Sequence, residues 1–282
     1  MTILATQRYF TFRSIWRRTY MLSKEAKQAA PSVDPDDVAR FDRLGEEWWN
    51  PRGPMRALHQ FNPSRINYLR KLVERRQGRR QGRAATDRAQ PLEGLEILDI
   101  GCGGGLLSEA LSRLGAKMTA IDPAPTNIEV ARRHAEASGL NIGYLCTTAE
   151  ALAAEHKSFD LVLAMEVIEH VRDVGGFIKI AAGMVRPGGM LVAATLNRTL
   201  KSYALAILGA EYVLQWVPKG THRWAQFVKP QELAAALRSA GLHIFDETGI
   251  GYDPFDGTWR ESRDMDVNYV MAAERKSPAT SA

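Results

Sequence analysis

The sequence predicts an α/β fold: a Rossmann-like, mainly parallel seven-stranded sheet with helices on both faces. Three observations predict it. Short apolar runs of strand length alternate with amphipathic helical patterns from about residue 95 onward. The first run ends in a turn containing Gly101, Gly103, Gly104 and Gly105 that opens directly into a helical pattern. The second run ends in an acid, Asp122, 21 residues after Gly101. Such alternation implies right-handed crossovers and a sheet covered on both sides.

The elements follow in order. Residues 1–35 read as an N-terminal extension and 36–282 as one domain. The first 24 residues hold Arg8, Arg13, Arg17, Arg18 and Lys24 and no acid. Tyr9, Phe12, Trp16 and Tyr20 share one helical face there. Two readings stand: a mitochondrial transit peptide, or translation starting at Met21. Residues 36–90 read as a helical cap. Asn62-Pro63-Ser64 reads as a helix cap, followed by a helix over 64–76 with Ile66, Leu69, Leu72 and Val73 on one face. Residues 77–91 form a basic, Gly-containing linker.

Strands are expected over 95–100, 117–122, 142–146, 159–165, 190–196, 242–246 and 267–273. Leu106, Leu107, Ala110, Leu111 and Leu114 are at helical spacing, with Gly115 suited to end that helix. Further helices are expected over 126–138, stopped by Gly139, over 174–185, and from Pro230 to Gly241. The sequence "RPGG" at 186–189 reads as a turn.

Composition narrows the function classes. The chain has 282 residues, 45% hydrophobic and 24% charged, with a formal net charge of +5. Two basic runs, in 1–24 and in "RRQGRRQGR" at 75–83, carry the whole excess, so no nucleic-acid partner is expected. The two cysteines, Cys102 and Cys146, form no CxxC pair and suggest neither a disulfide framework nor a zinc site. No apolar stretch approaches the ~18–20 residues that span a bilayer.

In an open parallel sheet, ligands bind beyond the carboxyl ends of the strands. Gly101 and Gly103 let backbone approach a ligand closely. Asp122 can accept hydrogen bonds from both ribose hydroxyls of a nucleoside. A dinucleotide site wants G-x-G-x-x-G, but the third glycine position is Leu106, which disfavours a dehydrogenase. The pattern is instead D-x-G-x-G-x-G over Asp99, Gly101, Gly103 and Gly105. It resembles motif one of class I S-adenosylmethionine methyltransferases, and "RPGG" before the fifth strand is typical of them too.

Four further stretches narrow the resemblance: "EEWWNPRGPMRALHQFNPSR" at 46–65, "AMEVIEHVRD" at 164–173, "GAEYVLQWVPKGTH" at 209–222 and "DVNYVM" at 266–271. With them the chain resembles the ubiquinone-biosynthesis O-methyltransferase family over about 36–273. The resemblance implies methylation of catechol-type hydroxyls on polyprenylated quinone precursors, at both O-methylation steps, with S-adenosylmethionine as donor. It implies cofactor contacts from Arg65, Gly101, Asp122 and Met165. It also implies magnesium at Glu166, Glu169 and His170, the acidic–histidine set that mitochondrial members associate with that metal.

The residues also have their own reading. If 166–171 is a helical turn, Glu166, Glu169 and His170 share one face beside the pocket. They form either a metal site or an acid–base site. A divalent cation chelating both catechol hydroxyls would promote loss of a proton. His170 as general base is the metal-free alternative. Arg65 offers a fork for the carboxylate of the cofactor's methionine end. Glu150 is placed to reach the adenine amine, and His222 is left without a role.

The insertion 197–229 is longer than a connection needs. Leu200, Tyr203, Leu205, Leu208, Leu214 and Trp216 make it apolar, with Arg198, Lys201 and Lys219 flanking. It reads as a lid over the pocket, as a segment dipping into a membrane surface, or as both. The expected partners are a polyprenylated catechol or quinol, a membrane surface and other ubiquinone-synthesis enzymes. The expected location is the cytoplasmic face of the inner membrane, with the mitochondrial matrix side as the alternative. Two other functions stay open: an O-methyltransferase for another lipophilic phenol, and a non-catalytic subunit of a quinone-synthesis complex.

Overall fold

The buried apolar runs pair as strands β1 (Glu96–Ile100), β2 (Lys117–Asp122), β3 (Gly143–Cys146), β4 (Phe159–Met165) and β5 (Val185–Leu196), all parallel. A computed structural model of the chain describes residues 32–81, 90–205, 224–253, 255 and 257–277. The first thirty-one residues, most of the linker, and 206–223 of the insertion with His222 lie outside the described residues.

Three more strands extend the sheet antiparallel: β6 (His243–Asp253), β7 (Thr258–Ser262) and β8 (Asn268–Glu274). The order is β3-β2-β1-β4-β5-β8-β6-β7, so the sheet has eight strands and not the expected seven. The added strand is β7, which pairs with β6 as a hairpin. Its sequence TWRES offers one large apolar side chain, too little for a period-two signal. That side chain, Trp259, packs against Phe61 with ring centroids 4.9 Å apart.

Side-chain alternation assigns the two faces. Leu98 and Ile100 of β1 face a core shared with helices α6 (Val174–Gly183) and α7 (Pro230–Ser239). Ile97 faces the opposite core, shared with α2 (Arg56–Gln81) and α3 (Leu106–Arg113). Helix α4 (Pro125–Ala137) covers β2 and β3 through Ile128, Ala131 and Ala135, and α5 (Ala149–Ala153) follows β3. Before all of these come α1 (Pro35–Asp42), capped by Asp34, and a 3₁₀ turn at Gly45–Trp49.

Two local expectations need correction. The helix expected over 64–76 runs from Arg56 to Gln81 with Pro63 inside it. Proline removes one ladder bond, but burial of Phe61, Tyr68, Leu69, Leu72 and Val73 holds the helix through that gap. Asn62 is therefore a mid-helix residue and not a cap. The "RPGG" turn is absorbed into β5, whose register against β4 shifts between Phe159 and Leu161. Among the described residues no helix is long and apolar enough to cross a membrane.

Candidate active site

The strand order reverses between β1 and β4, and the crevice beyond their carboxyl ends is the expected ligand position. Two cavities fill it. The larger, about 390 Å³, is lined by Phe61, Asn62, Arg65, Asp99, Met165 and Glu169 among others. The smaller, about 90 Å³, is lined by Asp37, Gly103, Asp122 and Asn127 among others. Both are bounded by Phe41, Trp48, Gly101, Glu166 and His170, so they are compartments of one crevice.

The glycine turn shapes the floor. Gly101 and Cys102 donate their N–H groups to the Ile121 carbonyl at 2.8 and 3.0 Å, tying the turn to β2. Gly103 has φ +53°, and a Cβ there would lie 2.4 Å from the Trp48 ring. Any side chain would be both strained and blocked. The missing side chain is what lets the Trp48 ring pack directly on the backbone here.

Asp122 ends β2 beside the turn. Its Oδ2 accepts from the Gly103 N–H at 3.0 Å, and its Oδ1 accepts from the Ala124 N–H at 2.9 Å and from Asn127 at 3.3 Å. Burial raises its pKa, while those hydrogen bonds pull the other way. The carboxylate therefore organises the turn as well as facing the smaller compartment.

Arg65 enters from α2 on the opposite side. Its side chain is 3% exposed, with Nη2 lying 3.6 Å from Glu166 Oε1. Neither Nε nor Nη2 has a hydrogen-bond partner. The guanidinium stacks 4.9 Å above the Phe61 ring. Burial lowers its pKa, and Glu166, Asp99 and Glu169 oppose that shift. A buried guanidinium with unused donors matches an anion that the cavity would admit, such as a carboxylate. Asp99 faces the same side and accepts from Ser108 at 2.6 Å.

Met165, the last residue of β4, is buried and lines the larger compartment. Beyond it the expected single-face helical turn does not form. Glu166 takes φ +57°, and a 3₁₀ turn occupies Ile168–His170. All three side chains line the larger compartment. Glu166 also lies 3.6 Å from Arg65, Glu169 accepts from Thr195 Oγ1 at 2.7 Å, and His170 Nδ1 meets Asp37 Oδ2 at 3.0 Å. Burial and then the neighbouring Glu166 hold Glu169 well above the usual carboxylate range. Among the described residues no three His, Cys, Asp or Glu side chains are grouped to hold a metal ion. The expected set Glu166, Glu169 and His170 lines one compartment but is not grouped closely enough for a metal centre.

The arrangement at His170 suits proton transfer. Asp37 is itself paired with Arg40, whose Nη2 lies 3.0 Å from Oδ1. The Phe41 ring meets the imidazole edge-on at 5.1 Å. An imidazole held through Nδ1 by a carboxylate keeps Nε2 for another partner.

Several residues of the crevice went unread in the sequence. Trp48 lies across the turn and donates to Asn127 Oδ1 at 2.7 Å. Trp49 donates to the Gly104 carbonyl at 2.9 Å and stacks on His134 at 3.4 Å. The paired tryptophans before the glycine turn were the available signal. Asp37 gave none, being one of three acids in "DPDD". Glu150, expected near the adenine, is tied by Oε1 to the Ser32 N–H at 2.9 Å and lines neither compartment.

A family model described as a methyltransferase domain matches residues 98–193. A relative from Methylocella silvestris named ubiquinone biosynthesis O-methyltransferase is 59% identical over 256 residues, covering 89% of this chain and 99% of its own. One of the same name from Methylobacterium nodulans is 54% identical, covering 89% and 98%. Among solved structures, a SAM-dependent methyltransferase from Thermotoga maritima superposes with a TM-score of 0.59 at 19% identity, over 84% of this chain and 98% of that one. Magnesium protoporphyrin IX methyltransferase from Synechocystis, with bound SAH, gives 0.57 at 17% identity, over 86% and 100%. The fold is that of class I S-adenosylmethionine methyltransferases.

Proposed function

The chain belongs to the ubiquinone biosynthesis O-methyltransferase family and is an S-adenosylmethionine-dependent O-methyltransferase, and we propose that it methylates catechol-type hydroxyls of polyprenylated ubiquinone precursors at both O-methylation steps. The observation that carries the site assignment is Arg65: a buried guanidinium with two unused donor nitrogens, facing the cavity floored by the glycine turn. It receives the methionine carboxylate of the donor. Asp122, Gly101 and Gly103 border the nucleoside compartment, and Met165 lines the larger compartment beside it.

The reaction is a single displacement. The phenolic oxygen attacks the methyl carbon, a C–O bond forms, the C–S bond breaks, and the sulfonium becomes the neutral thioether of S-adenosylhomocysteine. The phenol must lose its proton on the way, and His170 Nε2 takes it, with Asp37 fixing the ring and stabilising the imidazolium. Apolar walls from Phe41, Leu44, Leu58 and Leu106 suit the ring of the acceptor and exclude water. No step is routed through magnesium, since Glu166, Glu169 and His170 are not grouped to hold a metal ion.

A lipid-dwelling acceptor favours docking on a membrane surface. Leu200, Tyr203 and Leu205, at the described start of the insertion, are exposed large apolar residues, which supports that reading. The surface is read as the cytoplasmic face of a bacterial inner membrane, where other quinone-synthesis enzymes are the natural neighbours. The mitochondrial matrix side remains the alternative.

The test supplies labelled S-adenosylmethionine and a short-chain catechol precursor, with and without EDTA. Transfer in both arms is expected. No transfer in either removes the proposed substrate class, and transfer abolished by EDTA restores the metal reading.

A further inference from the structure

Asn62 is a polar side chain with no part in the displacement, and its placement is unusual. It lies in the interior of α2, away from any helix end, so no capping role accounts for it. It is 7% exposed. Its Nδ2 donates to the Leu106 carbonyl at 3.3 Å, just past the glycine turn. A carbonyl can only accept, so this contact fixes which way the amide faces. The Oδ1 is thereby turned away from Leu106, buried and without a hydrogen-bond partner. A buried acceptor left unmatched carries a desolvation penalty unless a ligand supplies the donor.

The cavity says which ligand group does so. Asn62 and Arg65 both line the larger compartment and are three residues apart on one helix face. Arg65 offers unused donors, and Asn62 an unused acceptor. An α-amino acid end presents the complementary pair on one carbon: a carboxylate that accepts and an ammonium that donates. Asp99 and Glu166, which act on Arg65 electrostatically, also favour a cation at this end.

We infer that Asn62 is a cofactor-binding residue of this site: its Oδ1 accepts a hydrogen bond from the α-ammonium of the donor's methionine end while Arg65 holds the carboxylate. The inference rests on the cofactor assignment above. Helix α2 thus reads both charges of the amino-acid moiety from one face, and the Asn62–Leu106 bond keeps that face in register with the glycine turn.

The experiment compares two probes by calorimetry: S-adenosylhomocysteine and its deamino analogue, which keeps the carboxylate and lacks the ammonium. The protein as it stands is expected to prefer S-adenosylhomocysteine by about 10–100-fold, the range for a hydrogen bond to a charged group. Asn62→Leu is expected to shrink that preference below about threefold. Because the two affinities come from the same variant, partial loss of stability cancels in their ratio. Should Asn62→Leu not fold, Asn62→Asp gives up the Leu106 bond but sets a charged acceptor against the ammonium, and is expected to raise the preference above the parent value. An unchanged ratio in Asn62→Leu, or a ratio in Asn62→Asp no higher than the parent's, overturns the inference. An unchanged ratio with a raised KM for the catechol assigns Asn62 to the acceptor instead, which also overturns it. If the parent binds neither probe, the cofactor assignment itself falls.

Discussion

His170 Nδ1 lies 3.0 Å from Asp37 Oδ2, joining residues 133 positions apart across the mouth of the crevice. One partner belongs to the strap before the fold proper, the other to the loop after β4. The site is thus completed only when the N-terminal helix folds back on the sheet. Three neighbouring contacts hold it there: Arg172 N–H to the Ser32 carbonyl, Thr126 N–H to Asp42 and Trp48 to Asn127.

If His170 takes the phenolic proton, His170→Ala is expected to lower kcat by about 10²–10⁴-fold. Affinity for S-adenosylhomocysteine should change little. Asp37→Asn should lower kcat by less, because the ring stays in place but loses its carboxylate. Added imidazole should recover part of the His170→Ala activity in steady-state assays. Equal loss of kcat and of cofactor affinity in His170→Ala would instead mean a structural role.

Asp99 makes a pH prediction. Burial raises its carboxyl to about 6, against the opposing pull of Ser108 and Arg65. A raised value means the protonated form is the one the fold prefers. The group's contribution is therefore present below about pH 4 and is lost as pH rises through 6. Asp99→Asn should gain on the parent by about 1–3 kcal/mol between pH 4.5 and pH 7 in urea unfolding of the unliganded protein. A difference that stays flat with pH would contradict the buried-carboxyl account.

Gly103→Ala places a Cβ against the Trp48 ring at a positive φ. We expect a loss of about 1–3 kcal/mol in stability and at least tenfold weaker S-adenosylhomocysteine binding. Trp48→Ala is itself destabilising, but in its background Gly103→Ala should cost less, because the clash is gone and only the backbone strain is left. Thermal melts of the four proteins read this directly.

Replacing Leu200, Tyr203 and Leu205 by Ser should cut sedimentation with anionic liposomes by at least fivefold, because each exposed apolar side chain contributes to interfacial burial. Activity on a short-chain, water-soluble acceptor should survive. Unchanged sedimentation removes the membrane reading of this segment.

The parallel half of the fold was legible because each buried strand is a continuous apolar run ending at a turn residue. The edge hairpin was not, since β7 carries Trp259 alone on its packed face. In the site, Gly101, Gly103 and Asp122 stood out because backbone geometry demands those residue types. The set at 166–170 was read on the spacing of a regular helical turn, whereas Glu166 takes a left-handed conformation that no spacing encodes. Asp37 was invisible for a different reason: its partner is chosen by how α1 folds over the sheet, and no local pattern encodes that.

The central claim is that the bare turn at Gly101–Gly103, with Asp122 and Arg65 on either side, holds the sulfonium nucleoside. Calorimetric titration of S-adenosylhomocysteine into the parent and into Asp122→Ala and Arg65→Leu tests it most directly. The account predicts saturable one-to-one binding in the parent, weakened at least tenfold in each variant while both remain folded. Absence of heat in the parent, or variants that bind as tightly as it does, would contradict it.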